Sequence, residues 1–533
     1  MSEISDNPYV KKGGDGNFSI TREGHAYLAR IVTDTNGPVY GFTDAASPLL
    51  VAAAMARLSR RGDDMRVIWL DEFALAGAQK GEALMDRVVT AYGDDSVAQL
   101  GSFACVVEGA SNILTKVLEW GRIAAYLEQS TRYIFFDEKD SAGNYKYFVP
   151  KIPDKVASHY RRIMDEIFGL YSEMVRGLTE YVRNENPQGK ENKSAWLGAT
   201  RAQACDAARP VLPAATKSTV GIVCSPQAID SLIRHLFAHQ LKESQETGRV
   251  LLREARKVIP SFLKRTDMPE RGIASVLYMQ DTERDVREFA AQNLSGNSID
   301  TSKLVRMVDC YPAKGRELDI VPRLLFSSSR LSLAEIESIV SEWSEKKKLD
   351  VLEKYVGNRK NRRHKPGRAF EFGWYEFEVL ADYGTFRDLQ RHRMVDGWEW
   401  QDLIPDYGYD IPALVNKAGF EDVFVKCFKL SGELFAMLKE AGFAREAQYA
   451  TLLGHKMRYK FAMNWREAFH MIELRTQPAG HPGYRKICQE MHRLISEVHP
   501  SVAAAMKFVN QGGDPELTRL EAERATQKKL ELL

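Results

Sequence analysis

One pattern occurs twice in this chain at a constant distance, and each copy has lost a different part of it. The first reads Arg122-Ile-Ala-Ala-Tyr126-Leu-Glu128-Gln129-Ser130-Thr131-Arg132-Tyr133, the second Arg391-His392-Arg393-Met-Val-Asp396-Gly-Trp-Glu399. Arg122 to Arg393 and Glu128 to Glu399 are the same step of 271 positions. The first copy keeps a Glu-Gln-Ser-x-Arg-Tyr tail but has Trp120-Gly121 where the second has Arg391-His392; the second keeps Arg-His-Arg without that tail. Such a repeat points to two similar units in tandem. The paired losses suggest that each half supplies one part of a shared site.

The bulk properties are those of a soluble globular protein: 533 residues, 44% hydrophobic and 27% charged, long enough for roughly two to four domains. A net charge of +2 gives no global attraction to nucleic acid or an anionic membrane. The apolar stretch from Pro48 to Ala56 is much too short to cross a bilayer, and the first residues lack a basic-then-apolar signal pattern. The six cysteines show no CxxC and no metal-ligand spacing. Reduced thiols in a cytoplasmic protein, with no metal site and no membrane partner, are expected.

The expected class is α+β, each unit a twisted antiparallel sheet with packed long helices. Residues 1–25 read as a loose arm, 26–265 as the first unit, 266–300 as a junction and 301–533 as the second unit. In the first unit, Ala29–Thr33 reads as a strand, Asp44–Arg60 as a helix with Leu49, Leu50, Ala53 and Met55-Ala56 on one stripe, and Gly93–Ser96 as a turn. Phe103–Trp120 reads as extended and then helical, Gln188–Lys193 as a polar loop, and Pro226–Ile259 as strongly helical. The second unit repeats the order with a strand at Leu304–Val308, a helix at Leu331–Trp343, the approach Phe370–Arg391, and helices at Met463–Leu474 and Tyr484–Val498.

If Tyr126–Arg132 is extended, Tyr126, Glu128, Ser130 and Arg132 project to one side. A carboxylate, a hydroxyl and a guanidinium on one face suit a polar ligand such as a phosphate. The competing reading is a surface strand with a weak Glu–Arg pair. Arg391-His392-Arg393 suits a diphosphate or an electron-rich ring, or else is a solvated basic turn. The run Arg359–Lys365 is an exposed loop or an anion- or nucleic-acid-binding patch. Asn464 and Arg475 face the same way on a continuous helix, while Trp465, Phe469 and Ile472 read as core and Arg466 adds a guanidinium near the helix start. No Gly-rich phosphate loop, nucleophile elbow or His/Cys metal set occurs, which argues against the common hydrolases, P-loop enzymes and zinc enzymes.

Together these residues resemble the flavin-dependent thymidylate synthases. That family carries Arg-His-Arg running into Ser-x-Asn-Glu-x-Ser-x-Arg-Tyr, then Ala-Arg-x-x-Leu-Pro, Asn-x-Arg and Leu-Arg. Here the first half holds Glu128-Gln129-Ser130-Thr131-Arg132-Tyr133 and Ala208-Arg209-Pro-Val-Leu212-Pro213; the second holds Arg391-His392-Arg393, Glu399, Asn464-Trp465-Arg466 and Leu474-Arg475. The resemblance spans nearly the whole chain as two diverged copies. It implies reductive methylation of dUMP to dTMP, with FAD as cofactor and NADPH and methylenetetrahydrofolate as co-substrates. Carried over position by position, Ser130, Arg132 and Arg209 hold the dUMP phosphate with Glu128 and Gln129 alongside, and Arg475 polarises the uracil ring as the catalytic residue. Arg391, His392, Arg393, Glu399, Asn464 and Arg466 contact FAD. The second copy has Gln401 and Leu403 for the Ser and Arg of the tail and Ala447-Gln448 for the Ala-Arg pair, and the first lacks the Asn-x-Arg and Leu-Arg positions. A homodimer that forms a pseudo-tetramer with composite sites is therefore expected. Alternatives are an inactive flavin- or nucleotide-binding paralogue, an enzyme modifying another pyrimidine nucleotide, and a nucleic-acid-associated protein using the 359–365 run.

Overall fold

The computed structural model describes residues 7–14, 16–58, 61–75, 99–294, 296–514, 517 and 519–530, the side chain of Leu49 apart. The fold is α+β and divides into two compact units that interleave along the chain. One comprises Met1–Glu108, Trp120–Glu128 and Thr219–Gly296; the other comprises Gly109–Glu119, Gln129–Ser218 and Asn297–Leu533. Among the described residues, no helix is long and apolar enough to cross a membrane.

In the first unit, the segment expected as a loose arm carries an antiparallel hairpin of β1 (Val10–Lys12) and β2 (Phe18–Ile20). A short helix, Arg22–Leu28, follows, capped by Thr21 Oγ1, which accepts from the Gly24 N–H. Ala29–Thr33 is not a strand, apart from a single bridge between Val32 and Phe42. The N–H groups from Ala29 to Val32 turn back to carbonyls of the preceding helix, and of this stretch the Thr33 N–H alone makes a strand-like bond, to the Gly41 carbonyl at 3.0 Å. The helix expected over 44–60 spans Pro48–Arg57, with Pro48 at its start, where the missing N–H costs nothing. The Gly93–Ser96 turn lies outside the described residues.

A sheet of order β3-β5-β4 follows, from β3 (Phe103–Ser111), β4 (Ala124–Glu128) and β5 (Lys217–Cys224); β4 and β5 are antiparallel, with Glu128 opposite Val220. The expected helix over Pro226–Ile259 is two helices, Pro226–Ala238 and Lys242–Ala255, because His239 and Leu241 are both extended. Ile229, Leu232, Ile233 and Leu236, at three- and four-residue spacing on the first of them, are buried. Much of the 266–300 stretch is a helix, Ala274–Leu294, of which only Val276 is buried.

The second unit is built on β6 (Val305–Tyr311), β7 (Trp374–Asp382), β8 (Val395–Trp400) and β9 (Lys456–Asn464), in the order β6-β7-β9-β8 with antiparallel neighbours. Alternation sets its two faces: Tyr375, Phe377 and Val379 on β7 and Met457, Tyr459, Phe461 and Met463 on β9 are buried. The other face is charged, with Arg458 on Glu378 at 2.7 Å and Lys460 near both Glu376 and Glu399. The amphipathic helix Asp154–Glu185 packs against Lys193–Ala208 and Glu421–Glu440. Helices Trp465–Arg475 and Pro482–Val498 follow β9.

The local architecture occurs twice. β3 runs into helix Asn112–Leu118 through the cap Ser111, and β7 runs into helix Tyr383–Leu389 through the cap Asp382; each strand has 9 residues and each helix 7. Asn112 donates its N–H to the Thr216 carbonyl at 3.1 Å, and Tyr383 makes the matching bond to His455 at 3.0 Å. Between these two sets, Ala214 donates to Thr451 at 2.7 Å and Leu453 to Leu212 at 2.8 Å, around the bridge of Pro213 with Leu452. The exchange has the reciprocity of a local two-fold axis.

Candidate functional site

The second unit gathers four arginines around a buried carboxylate. Asp388 lies in helix Tyr383–Leu389, one turn before Arg391, and accepts from Arg391 Nη2 at 2.9 Å and from Arg209 Nη1 at 3.2 Å. Burial alone would raise its pKa. The guanidiniums of Arg209, Arg391, Arg132 and Arg475 outweigh that and hold the carboxyl well below the usual range. Arg209 sits in the short turn Arg209–Val211 at the end of helix Lys193–Ala208 and is 2% exposed. Its Nη2 is buried without a hydrogen-bond partner. Gly384 packs beside it: a Cβ there would lie in ordinary contact with Arg209 Nε and Nη2, at 3.5 Å.

Arg132 forms a fork on Asp206, Nε to Oδ1 at 2.7 Å and Nη2 to Oδ2 at 2.6 Å, and its Nη1 donates to the Tyr484 hydroxyl at 3.2 Å. Burial opposes the Arg132 charge, and Asp206 more than offsets that, so the guanidinium is held even more firmly protonated than usual. The Tyr484 ring is shared: the Arg132 guanidinium carbon lies 5.9 Å from its centroid and that of Arg475 5.2 Å. His481, the cap of helix Pro482–Val498, accepts from the Gly483 N–H, and burial together with Arg209 pushes its pKa down to about 3. Four guanidiniums thus face the carboxylates of Asp206 and Asp388, beside a neutral imidazole. Asp382, whose carboxyl burial pushes up although Arg209 lies beside it, is a third carboxyl in the cluster, and the remaining positive charge suits an anionic group such as a phosphate.

A second constellation adjoins it. Arg475 Nε donates to His392 Nε2 at 2.9 Å, His392 Nδ1 meets Glu467 Oε1 at 2.8 Å, and His470 Nδ1 lies 3.2 Å from Glu467 Oε2. Burial, with Arg475 beside it, lowers the His392 pKa to about 4; the His392 and His470 bonds bring Glu467 down to about 2 against its burial. The ligating atoms of His392, Glu467 and His470 lie within 4.8 Å of one another, a set that counts as a candidate metal triad in a chain expected to have no metal site. An Arg Nε always carries hydrogen, so His392 Nε2 must accept and Nδ1 must hold the proton. A metal at Nδ1 would move that proton to Nε2, against the Arg475 N–H. Hydrogen bonding therefore accounts for the triad better than coordination.

The other expected residues are placed as follows. Glu128 ends β4 in the first unit and is buried; the extended run stops there. Gln129 is exposed, and its carbonyl accepts from Ser218 Oγ at 3.4 Å. Ser130 Oγ accepts from the Arg132 N–H at 3.2 Å, closing a turn, so Ser130 and Arg132 do not continue the strand face with Tyr126 and Glu128. Arg393 is exposed. Glu399 is 69% exposed in its ion pair with Lys460. Asn464 caps helix Trp465–Arg475 by accepting from the Glu467 N–H at 2.9 Å, and Arg466 Nε donates to the Pro366 carbonyl at 3.0 Å. Trp465, Phe469 and Ile472 are core, as their spacing indicated. In the basic run, Arg359 is 6% exposed, bonded to Glu473 and flanked by Phe469 and Phe508, so that residue is an anchor rather than part of a surface patch.

The sequence reading passed over Asp206, Asp388, Glu467, His470, His481 and Tyr484. The spacing of Asp388 to Arg391 on one helical turn was a usable signal for one of them.

The family model described as thymidylate synthase complementing protein matches residues 43–261 and again 312–501. A UPF0159 protein of Chlamydia muridarum (strain MoPn / Nigg) is 30% identical over 532 residues, 96% of this chain and 98% of that one. A flavin-dependent thymidylate synthase of Clostridium tetani (strain Massachusetts / E88) is 25% identical over 182 residues, 33% of this chain and 68% of that one. Among solved structures, a UMP/dUMP methylase PolB from Streptomyces cacaoi bound with 5-Br dUMP aligns with 16% identity and a TM-score of 0.31, over 39% of this chain and 96% of that one. With two matches that together span most of its length, this chain belongs to the thymidylate synthase complementing protein family, the flavin-dependent thymidylate synthases.

Proposed function

We propose that this protein is a flavin-dependent thymidylate synthase-like enzyme that methylates dUMP to dTMP, with methylenetetrahydrofolate, FAD and NADPH. The observation that carries the reading is the cluster of Arg132, Arg209, Arg391 and Arg475 around Asp388, together with the buried and unpartnered Arg209 Nη2. Arg209 and Arg132 take the phosphate, with Ser130, Gln129 and Glu128, which precede Arg132 in sequence, in the same proposed group. Arg475 faces the pyrimidine, where a guanidinium favours the ionised ring. For FAD the donor set fits a diphosphate: Arg391 is 40% exposed with one nitrogen on Asp388, and Arg393 follows on the surface. Arg391, His392, Arg393, Glu399, Asn464 and Arg466 are the proposed flavin residues. When bound, the flavin supplies the hydride chemistry. The chain's part is to hold the nucleotide dianion, orient the ring and exclude water.

The two halves, 26–265 and 301–533 about the junction 266–300, are read as diverged tandem copies that build composite sites, with a homodimer completing a pseudo-tetramer. The repeated strand-to-helix unit and the reciprocal Leu212–Thr451 exchange support this. At the first-half position that aligns with Arg391 stands Trp120, stacked on His235 with ring centroids 4.2 Å apart, which fits a vestigial site. A second reading, a nucleotide- or flavin-binding paralogue without turnover, is favoured by one observation: Asp206 and Asp388 already occupy the proposed phosphate ligands. Complementation of a thymidine auxotroph separates the two. Growth with the wild-type chain and none with Arg475→Ala supports the enzyme. A folded yellow protein that binds dUMP without rescuing growth supports the paralogue.

A further inference from the structure

We propose that Glu467 is a positioning residue for Arg475, acting through His392. The buried carboxylate fixes the imidazole as its Nδ1–H tautomer, so that Nε2 presents a lone pair to the Arg475 Nε–H. The Nη fork of that guanidinium is then left for the ligand. The inference rests on the reading that Arg475 contacts the pyrimidine.

Glu467 and Arg475 belong to one helix, eight residues apart, which is about 12 Å along the axis. They cannot touch, and His392, arriving from the end of helix Tyr383–Leu389, spans them with bonds of 2.8 and 2.9 Å. The proton order has one solution. Arg475 Nε donates, so Nε2 accepts; a neutral imidazole has one hydrogen, so Nδ1 donates to Glu467 Oε1. The ring stays neutral because burial, Arg475 and His470 disfavour its cation more than Glu467 favours it. Among the described residues, Arg475, His470 and Glu467 are the charged or titratable groups that act on it most strongly. On the remaining side, the Trp398 indole reaches its carbonyl at 3.4 Å. Glu467 itself is held twice: Asn464 caps its N–H at 2.9 Å, and the start of the helix favours its negative charge. Its second oxygen faces His470, so the carboxylate has little freedom to turn.

The test combines histidine 15N NMR of the full-length protein with dUMP binding by calorimetry. His392 is expected as the Nδ1–H tautomer, with no titration between pH 5 and 8. Glu467→Ala is expected to weaken dUMP binding about tenfold. Should that variant not fold, His392→Gln and His392→Asn give the same information. Gln places an acceptor where Nε2 stood and is expected to bind dUMP several-fold more tightly than Asn, which reaches only the Glu467 side and loses about tenfold. An Nε2–H tautomer, titration near the ordinary histidine value, or equal dUMP affinity in the Gln and Asn variants would overturn the proposal. If the wild-type chain binds no dUMP, the functional reading fails, and the tautomer alone decides the relay.

Discussion

Asp388→Asn is the sharpest test of the arginine cluster, because stability and ligand binding should move in opposite directions. The side chains of Asp388 and Arg209 are 9% and 3% exposed, and Asp388 also holds the half-exposed Arg391. Breaking a buried ion pair typically costs about 3–5 kcal/mol. Asn keeps the shape and still accepts one hydrogen bond, so a loss of about 2–3 kcal/mol is expected. The same change adds one positive charge to the cluster's surplus and removes the carboxylate that competes with a phosphate for Arg209. dUMP should therefore bind the variant about tenfold more tightly, a gain of about 1.4 kcal/mol. The assay is urea unfolding of both chains across a dUMP series. Without ligand the variant is the less stable; at 100 times its dissociation constant dUMP restores about 2.7 kcal/mol. A variant as stable as wild type, or one that dUMP stabilises less than wild type, would refute the idea that Asp388 holds the place of a phosphate.

Three further outcomes follow from the same contacts. Tyr484→Phe removes the hydroxyl that accepts from Arg132 but keeps the ring between two guanidiniums; a cost of about 1 kcal/mol in unfolding is expected, and Tyr484→Ala should weaken dUMP binding more than Phe does. His392 and His455 have folded pKa values lowered to about 4, and His481 to about 3, against about 6.5 in the unfolded chain. The unfolded state then binds more protons below about pH 6.5, so their contribution is complete above that value and is lost as pH falls towards 4 and then 3; denaturant midpoints measured from pH 8 to 4 check the sign. Arg359→Met leaves Glu473, which is fully buried, without its fork, and about 3–5 kcal/mol of stability is expected to go. Salt-dependent binding to DNA should be unchanged by that substitution, and a loss would revive the nucleic-acid reading of the 359–365 run.

What the sequence made legible and what it hid divide along a physical line. The strand-to-helix junctions were legible because they leave local signatures. Ser111 and Asp382 each cap a helix that starts at the end of a strand, and the apolar alternation before them has period two. The guanidiniums were legible because an arginine in a recurring motif already announces its chemistry. Their partners were not, because Asp206, Asp388 and Glu467 are ordinary acidic residues in helices; apart from the one-turn spacing of Asp388 to Arg391, nothing local distinguishes a buried carboxylate from a solvated one. Glu467 illustrates this. In sequence it is the first-turn acid of an amphipathic helix, a position where Glu is common for reasons of the helix dipole alone. Only the fold brings His392 from 75 positions away onto its oxygen. The misread elements fail for the same reason: Ala29–Thr33 has strand composition, but its N–H groups from Ala29 to Val32 are taken by the preceding helix, and Ser130 and Arg132 leave the strand because one hydroxyl captures one backbone donor. In this chain the sequence singles out the arginines of the proposed site, and the tertiary fold supplies the carboxylates that hold them in place. The acidic residues around Asp388 and Glu467, rather than further arginines, are therefore where substitutions should separate binding from architecture.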